Sequence, residues 1–99
     1  MSFVTTQPEM LTASAGSLAG IGSTMSAGNA AAAGPTTGVV PAAADEVSAL
    51  TALQFAGHAA TYQAAAAQAA AIHEQFVAVL AASAGSYAMT EAANAAAAL

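Results

Sequence analysis

One break divides this chain into two parts that favour helix. Residues 34–41 read Gly-Pro-Thr-Thr-Gly-Val-Val-Pro, and two prolines with two glycines in eight positions end one helix and prevent easy continuation into the next. Alanine, the strongest helix former, supplies 34 of the 99 residues and dominates both flanking stretches. The sequence therefore predicts an all-α hairpin of two long antiparallel helices, with helix one at about 7–33, a loop at about 34–43 and helix two at about 44–83.

Both predicted helices carry signals for where they begin. Residues 6–9 read Thr-Gln-Pro-Glu, the form of a capping box in which Thr6 accepts from the backbone N–H of Glu9 and the Glu9 carboxylate accepts from the N–H of Thr6. Pro8 in the first turn removes no intrahelical donor. The acidic pair at positions 45–46 complements the positive end of the second helix dipole.

Apolar residues recur at spacings of three and four along both helices. In helix two they follow a heptad-like stripe from Ser48 to Ser83. Other apolar residues lie off that stripe, namely Val47, Leu50, Leu53, Val77 and Leu80. Helix two thus has apolar groups on two sides near each end, more than one antiparallel neighbour covers.

A hairpin of two helices shares a single interface, which buries too little area to offset the entropy of ordering its residues. We therefore expect helices from another chain to complete a four-helix bundle. A homodimeric bundle of two such hairpins is the alternative, and the periodicity does not exclude it.

Charge and composition narrow the classes of partner. The chain has no Lys or Arg and a formal charge of −5, so it lacks the cations that drive binding to nucleic acid or anionic lipid. The N-terminal residues offer no cation and no compact apolar core, so we expect no cleavable signal peptide. Residues 47–72 carry no formal charge, but their alanines and polar side chains favour a soluble helix over a membrane span.

No arrangement of residues suggests catalysis. The five carboxylates are scattered, and the Gly20–Gly22 start of a dinucleotide-like pattern fails because Met25 stands where its third glycine belongs. His58 and His73 are 15 residues apart and cannot bind one metal from a single straight helix. We expect no enzyme activity, no catalytic residue, no metal and no cofactor.

The C-terminal segment is predicted to differ from the hairpin. Residues 83–86, Ser-Ala-Gly-Ser, interrupt the stripe of helix two. We therefore assign residues 1–83 to the hairpin and 84–99 to a frayed or partner-dependent tail, because an isolated helix this short is marginal in water.

Three short motifs carry a resemblance to a known family. They are the Pro-Glu pair at positions 8–9, Val-Pro-Ala-Ala-Ala-Asp at 40–45, and Tyr-Ala-Met-Thr-Glu at 87–91. In this order and spacing, and with this alanine content, they resemble the PE family of mycobacterial proteins. Thr6, Pro8 and Glu9 then mark both the family motif and the start of helix one.

The resemblance implies a function in secretion. It implies a 1:1 heterodimer with a PPE-family protein as an elongated four-helix bundle, with a secretion chaperone that binds the PPE partner and not this chain. It also implies assembly in the cytoplasm and export by type VII secretion machinery to the cell surface or the medium. Tyr87 and Glu91 match the family's export signal. A component of an outer-membrane nutrient transport or pore complex is the alternative function.

The period of the apolar residues, and not a motif, assigns the partner interface. The residues predicted to face the partner are Leu11, Leu18, Ile21 and Met25 of helix one and Phe55, Tyr62, Ile72, Phe76 and Val79 of helix two.

Overall fold

The computed structural model describes residues 4–99 and contains two α-helices. Helix α1 spans Pro8–Thr37 and helix α2 spans Glu46–Ala97. The described chain is 85% helical, and none of its residues from 4 to 99 forms a strand. The predicted all-α helical hairpin is confirmed, and its completion to a bundle by a partner stays a prediction.

The chain divides into two compact units, and each contains a stretch of α1 and a stretch of α2. One unit joins the chain up to Gly22 with His73–Leu99, and the other is Ser23–Ile72. We refer to them as the terminal unit and the loop unit.

Hydrogen bonds between the two stretches of the terminal unit show how they run relative to each other. The backbone N–H of Thr6 donates to Glu91, and the Leu18 carbonyl oxygen lies 2.6 Å from Nε2 of His73. As the residue number rises along the first stretch, that of its partner falls, so the two stretches are antiparallel.

In the loop unit, the two helices meet around Asn29. The Tyr62 hydroxyl donates to the Asn29 side-chain oxygen at 2.7 Å, and the Gln63 amide donates to the Asn29 carbonyl oxygen at 3.0 Å. Side chains of α2 therefore reach both the side chain and the backbone of α1.

Small residues form the face by which each helix packs on the other. In the described chain the buried residues are the alanines Ala15, Ala52, Ala59 and Ala84. Half-buried residues continue their spacing of three and four, and with them define the inner face: Pro8, Leu11, Ala15, Leu18, Gly22, Asn29 and Ala32 of α1, and Ala52, Ala56, Ala59, Gln63, Ala66, Ala70, His73, Val77, Leu80, Ala84 and Glu91 of α2. Val77 and Leu80, which lie off the predicted stripe, thus belong to the hairpin's own interface.

Helix α1 extends one turn beyond the predicted end near residue 33 and includes Pro35. A proline inside a helix removes one intrahelical donor and crowds the preceding turn. The Thr36 and Thr37 hydroxyls donate to the carbonyl oxygens of Ala32 and Ala33, both at 2.6 Å, which adds side-chain hydrogen bonds to the end of the helix. The break begins at Gly38, after the helix.

Helix α2 continues through residues 83–86 to Ala97, so the prediction of an interruption there is wrong. Ala84 is 2% exposed and Ser83 is half-buried, which shows that this stretch packs within the terminal unit. Gly85 costs about 1 kcal/mol relative to alanine, a small penalty beside such packing. Tertiary contact overrides the local signal.

Asp45 caps the start of α2. Its carboxylate accepts from the N–H and the hydroxyl of Ser48, both at 2.9 Å, and its carbonyl oxygen accepts from Ala49 N–H at 3.1 Å. This is the N-cap arrangement, in which a side chain satisfies a backbone donor that the first turn leaves open. These hydrogen bonds, above all that from the Ser48 N–H, hold the pKa of Asp45 below its ordinary value of 3.8.

Gly22 lets α2 approach the backbone of α1. A Cβ atom at this position would lie 2.8 Å from Cδ2 and 2.9 Å from Nε2 of His73, closer than van der Waals contact allows. The imidazole therefore occupies the space of the missing side chain, and from there its Nε2 reaches the Leu18 carbonyl oxygen.

Replacing Gly22 with Ala should show energetic coupling to His73. In a His73→Ala background, Gly22→Ala should raise the free energy of unfolding by roughly 1 kcal/mol, the usual preference of a helix for alanine. With His73 present the gain should vanish or reverse, because the ring must leave Leu18 and lose a hydrogen bond of about 0.5–1.5 kcal/mol. Urea unfolding of the assembly in which the chain folds, followed by circular dichroism, measures both values.

Gly16→Ala is the matched control, since a Cβ there meets nothing within 4 Å. Gly16→Ala should raise the free energy of unfolding by the same amount with His73 present and in the His73→Ala background. An equal effect of Gly22→Ala with and without His73 would show that the ring does not lie over Gly22.

Acid should weaken the Asp45 cap. Because the folded-state pKa lies below the unfolded value, the cap's contribution is complete above pH 3.8 and is lost as the pH falls through the folded-state pKa. Asp45→Asn keeps an acceptor that does not titrate. The difference in free energy of unfolding between the wild type and Asp45→Asn should therefore change below pH 3.8 and stay level above it; a difference independent of pH would contradict the cap.

Candidate functional site

The predicted export residues lie on one side of α2 in the terminal unit. Tyr87 and Glu91 are four residues apart in a continuous helix, so their side chains are neighbours. Tyr87 is 48% exposed, whereas Glu91 is half-buried. The pair presents an accessible ring beside a partly covered carboxylate.

Thr6 binds the carboxylate of Glu91. Its backbone N–H donates to Oε1 at 2.7 Å and its hydroxyl donates to the same oxygen at 2.9 Å. Hydrogen bonds to an ionised acceptor are stronger than those between neutral groups. They link the segment before α1 to the C-terminal part of α2.

The contact between Thr6 and Glu91 shows that the predicted capping box of Thr6 and Glu9 is wrong. Helix α1 begins at Pro8, so the residue that precedes the helix is Gln7, whose carbonyl oxygen accepts from Met10 N–H at 3.0 Å. The Thr6 donors serve Glu91 and not Glu9. The helix starts one residue later than the box requires, which moves Thr6 out of capping position.

A shallow groove lies beside Tyr87. Its volume is about 430 Å³, and it is lined by Val79, Ala82, Ser83, Ser86, Tyr87 and Thr90. The Thr90 hydroxyl donates to the Ser86 carbonyl oxygen at 3.0 Å. The groove therefore places an aromatic ring and a Val side chain beside the hydroxyl groups of two serines and a threonine.

Most large apolar side chains of the predicted partner interface are exposed. In the loop unit these are Met25, Phe55, Tyr62 and Ile72; in the terminal unit they are Ile21, Phe76 and Val79. Phe55 is 62% exposed and Phe76 is 55% exposed. Leu11 and Leu18 differ, because they are half-buried on the inner face. We call the seven exposed residues the outer set.

The contacts that hold the helices together involve polar residues that the spacing of large apolar residues does not select. His73 reaches a backbone carbonyl of α1 across Gly22, and Gln63 reaches another at Asn29. Small or polar residues at strict spacings of three and four along α2, beginning at Ala52, are the sequence signal that predicts this face. A search for large apolar residues instead selects the exposed side of the helix.

The two histidines have different surroundings. His73 is half-buried on the inner face, whereas His58 is exposed. Among residues 4–99, no group of three or more His, Cys, Asp or Glu side chains is arranged to hold a metal ion.

A sequence model of the PE family matches residues 4–94. This chain belongs to the PE family. It is 70% identical over 98 residues to the PE family protein PE13 of Mycobacterium tuberculosis H37Rv, with 99% of each chain covered.

The same segment occurs in longer PE relatives. The chain is 66% identical over 96 residues to PE_PGRS33 of M. tuberculosis H37Rv and 63% identical over 91 residues to PE_PGRS11 of the same strain. It covers 97% and 92% of its own length in these alignments, but only 19% and 16% of the relatives' lengths. Within the PE family, this segment therefore also exists joined to other sequence.

Helix α2 meets a length and composition criterion for a membrane span. An 18-residue window within Glu46–Ala97 has a mean hydropathy of 1.2, and none of that window is buried inside the chain.

Proposed function

We propose that this PE chain is a non-enzymatic interaction protein and the obligate subunit of a 1:1 heterodimer with a PPE-family protein. The hairpin supplies two helices of a four-helix bundle, and the PPE protein supplies the other two. The observation that supports this most directly is the inverted distribution of side chains: among residues 4–99 only alanines are buried, whereas Phe55, Phe76 and the rest of the outer set are exposed.

The exposed area supports the need for a partner. The chain exposes 7136 Å², whereas a compact monomer of its 9.4 kDa mass exposes about 5,000 Å² by the usual scaling. The excess of about 2,000 Å² suits an obligate interface, which buries roughly 2,000–5,000 Å² over both partners. Burial of the outer set would supply the apolar area that the alanine inner face lacks.

We further propose that the heterodimer assembles in the cytoplasm and is exported to the cell surface or the medium by a type VII secretion system. A chaperone acts on this chain only through the PPE partner. Tyr87 and Glu91 form the export signal. The exposed Tyr87 ring and its groove give a secretion component a surface to bind.

An apolar stretch of α2 favours a second candidate function, in an outer-membrane transport or pore complex. The 18-residue window in α2 is the observation behind it. Dye release from phospholipid vesicles by the purified heterodimer would support this function, and intact vesicles would exclude it for that complex.

Replacing Phe76 with Asp should abolish pairing. Phe76 is exposed in the hairpin, so the lone chain tolerates the charge, but an interface that buries it pays several kcal/mol. Co-expression with PPE-family proteins, followed by affinity purification and sedimentation, should recover a 1:1 complex from the wild type and none from Phe76→Asp.

Ala78→Asp is the matched control, because an exposed residue two positions on points about 160° away around the helix. It should pair normally. Recovery of the Phe76→Asp complex, or a stable wild-type homodimer that ignores every PPE protein, would contradict the proposed heterodimer.

Replacing Tyr87 with Ala should stop export without preventing pairing. The measurement is the amount of PE chain in the culture medium relative to the amount of complex inside the cells. Met89→Ala is the control, since Met89 is 76% exposed and lies about 160° around α2 from Tyr87. Export of the Tyr87→Ala chain at the wild-type level would show that this residue is not part of the signal.

A further inference from the structure

Two donors of one residue bind one oxygen atom in the terminal unit. Thr6 N–H and Thr6 Oγ1 both donate to Oε1 of Glu91, at 2.7 and 2.9 Å. Two donors on Oε1 restrict the side-chain conformations open to Glu91 and hold its carboxylate against the segment before α1. Residues 85 positions apart are thereby fixed beside each other.

We propose that Thr6 is a positioning residue of the export signal, which rests on the proposed function of Tyr87 and Glu91. Thr6 orients the Glu91 carboxylate relative to the Tyr87 ring, so the signal is a folded surface built from both ends of the chain. A secretion component meets the correctly oriented carboxylate only when the segment before α1 is in place on α2. The signal thus marks folded hairpins for export.

The chemistry of Thr6 predicts a graded response to substitution. Thr6→Val keeps the shape and the backbone donor but removes the hydroxyl donor. Export per intracellular complex should fall roughly threefold to tenfold, as expected for one lost hydrogen bond. Thr6→Ser retains both donors and should be exported at the wild-type level.

Thr5→Val is the matched control, since it makes the same chemical change at the exposed neighbouring residue. It should export at the wild-type level. Glu91→Ala is tested in parallel, and pairing of every variant with the PPE protein is measured by co-purification.

The outcomes separate the positioning role from the proposed function. Wild-type export of Thr6→Val, with export lost in Glu91→Ala, overturns the role of Thr6 and leaves the export signal intact. Wild-type export of Glu91→Ala overturns the signal and, with it, the positioning role. A loss of complex in Thr6→Val that matches its loss of export also overturns the proposal, because Thr6 would then act on stability alone.

Urea unfolding of the purified heterodimer tests the contact without export. Thr6→Val should lower the unfolding midpoint when Glu91 is present and should have no effect in a Glu91→Ala background. Equal effects in both backgrounds would show that the Thr6 hydroxyl does not act through Glu91.

Discussion

The approach of α2 side chains to the bare backbone of α1 is the contact on which the hairpin depends. His73 reaches the Leu18 carbonyl oxygen, and Gln63 reaches that of Asn29. Such carbonyls lie inside a helix and are normally screened by side chains. The Leu18 carbonyl oxygen becomes accessible here because Gly22, four residues on, carries no side chain in the way. Among residues 4–99, the inner face carries mainly small residues, with a few polar side chains and an occasional Leu or Val.

This close packing determines where the large apolar residues go. A buried alanine removes little more than one methyl group from water, so an alanine interface contributes far less than the Leu and Phe interface of an ordinary bundle. Most of the aromatic and branched side chains lie outside it, Phe55 and Phe76 among them. Tight pairing within the hairpin and the exposure of most large apolar side chains are therefore two consequences of one choice of small residues.

The sequence predicts the helices, the loop and the hairpin, because proline, glycine and alanine act locally. It does not predict that α2 passes through Gly85, because burial of Ala84 in the terminal unit outweighs the local signal. The large apolar residues of the sequence also select the exposed stripe, and not the alanine face, as the main interface of the helices, because Phe is more hydrophobic than alanine. Contacts such as Gly22 with His73 depend on distances between backbones, which periodicity does not encode. The Tyr87 and Glu91 motif is visible in the sequence, whereas its link to Thr6 requires the fold.

The absence of Lys and Arg gives the contact between Thr6 and Glu91 a particular importance. In most proteins a half-buried carboxylate is paired with a basic side chain, a long and mobile partner. Here such pairing is unavailable within the chain, so carboxylates depend on N–H and O–H donors, as Asp45 does with Ser48 and Glu91 does with Thr6. These donors are short and fixed to the backbone, and they act only when the backbone is correctly placed. A carboxylate satisfied in this way reports local folding more strictly than one held by a flexible cation, which suits Glu91 to the export signal proposed for it.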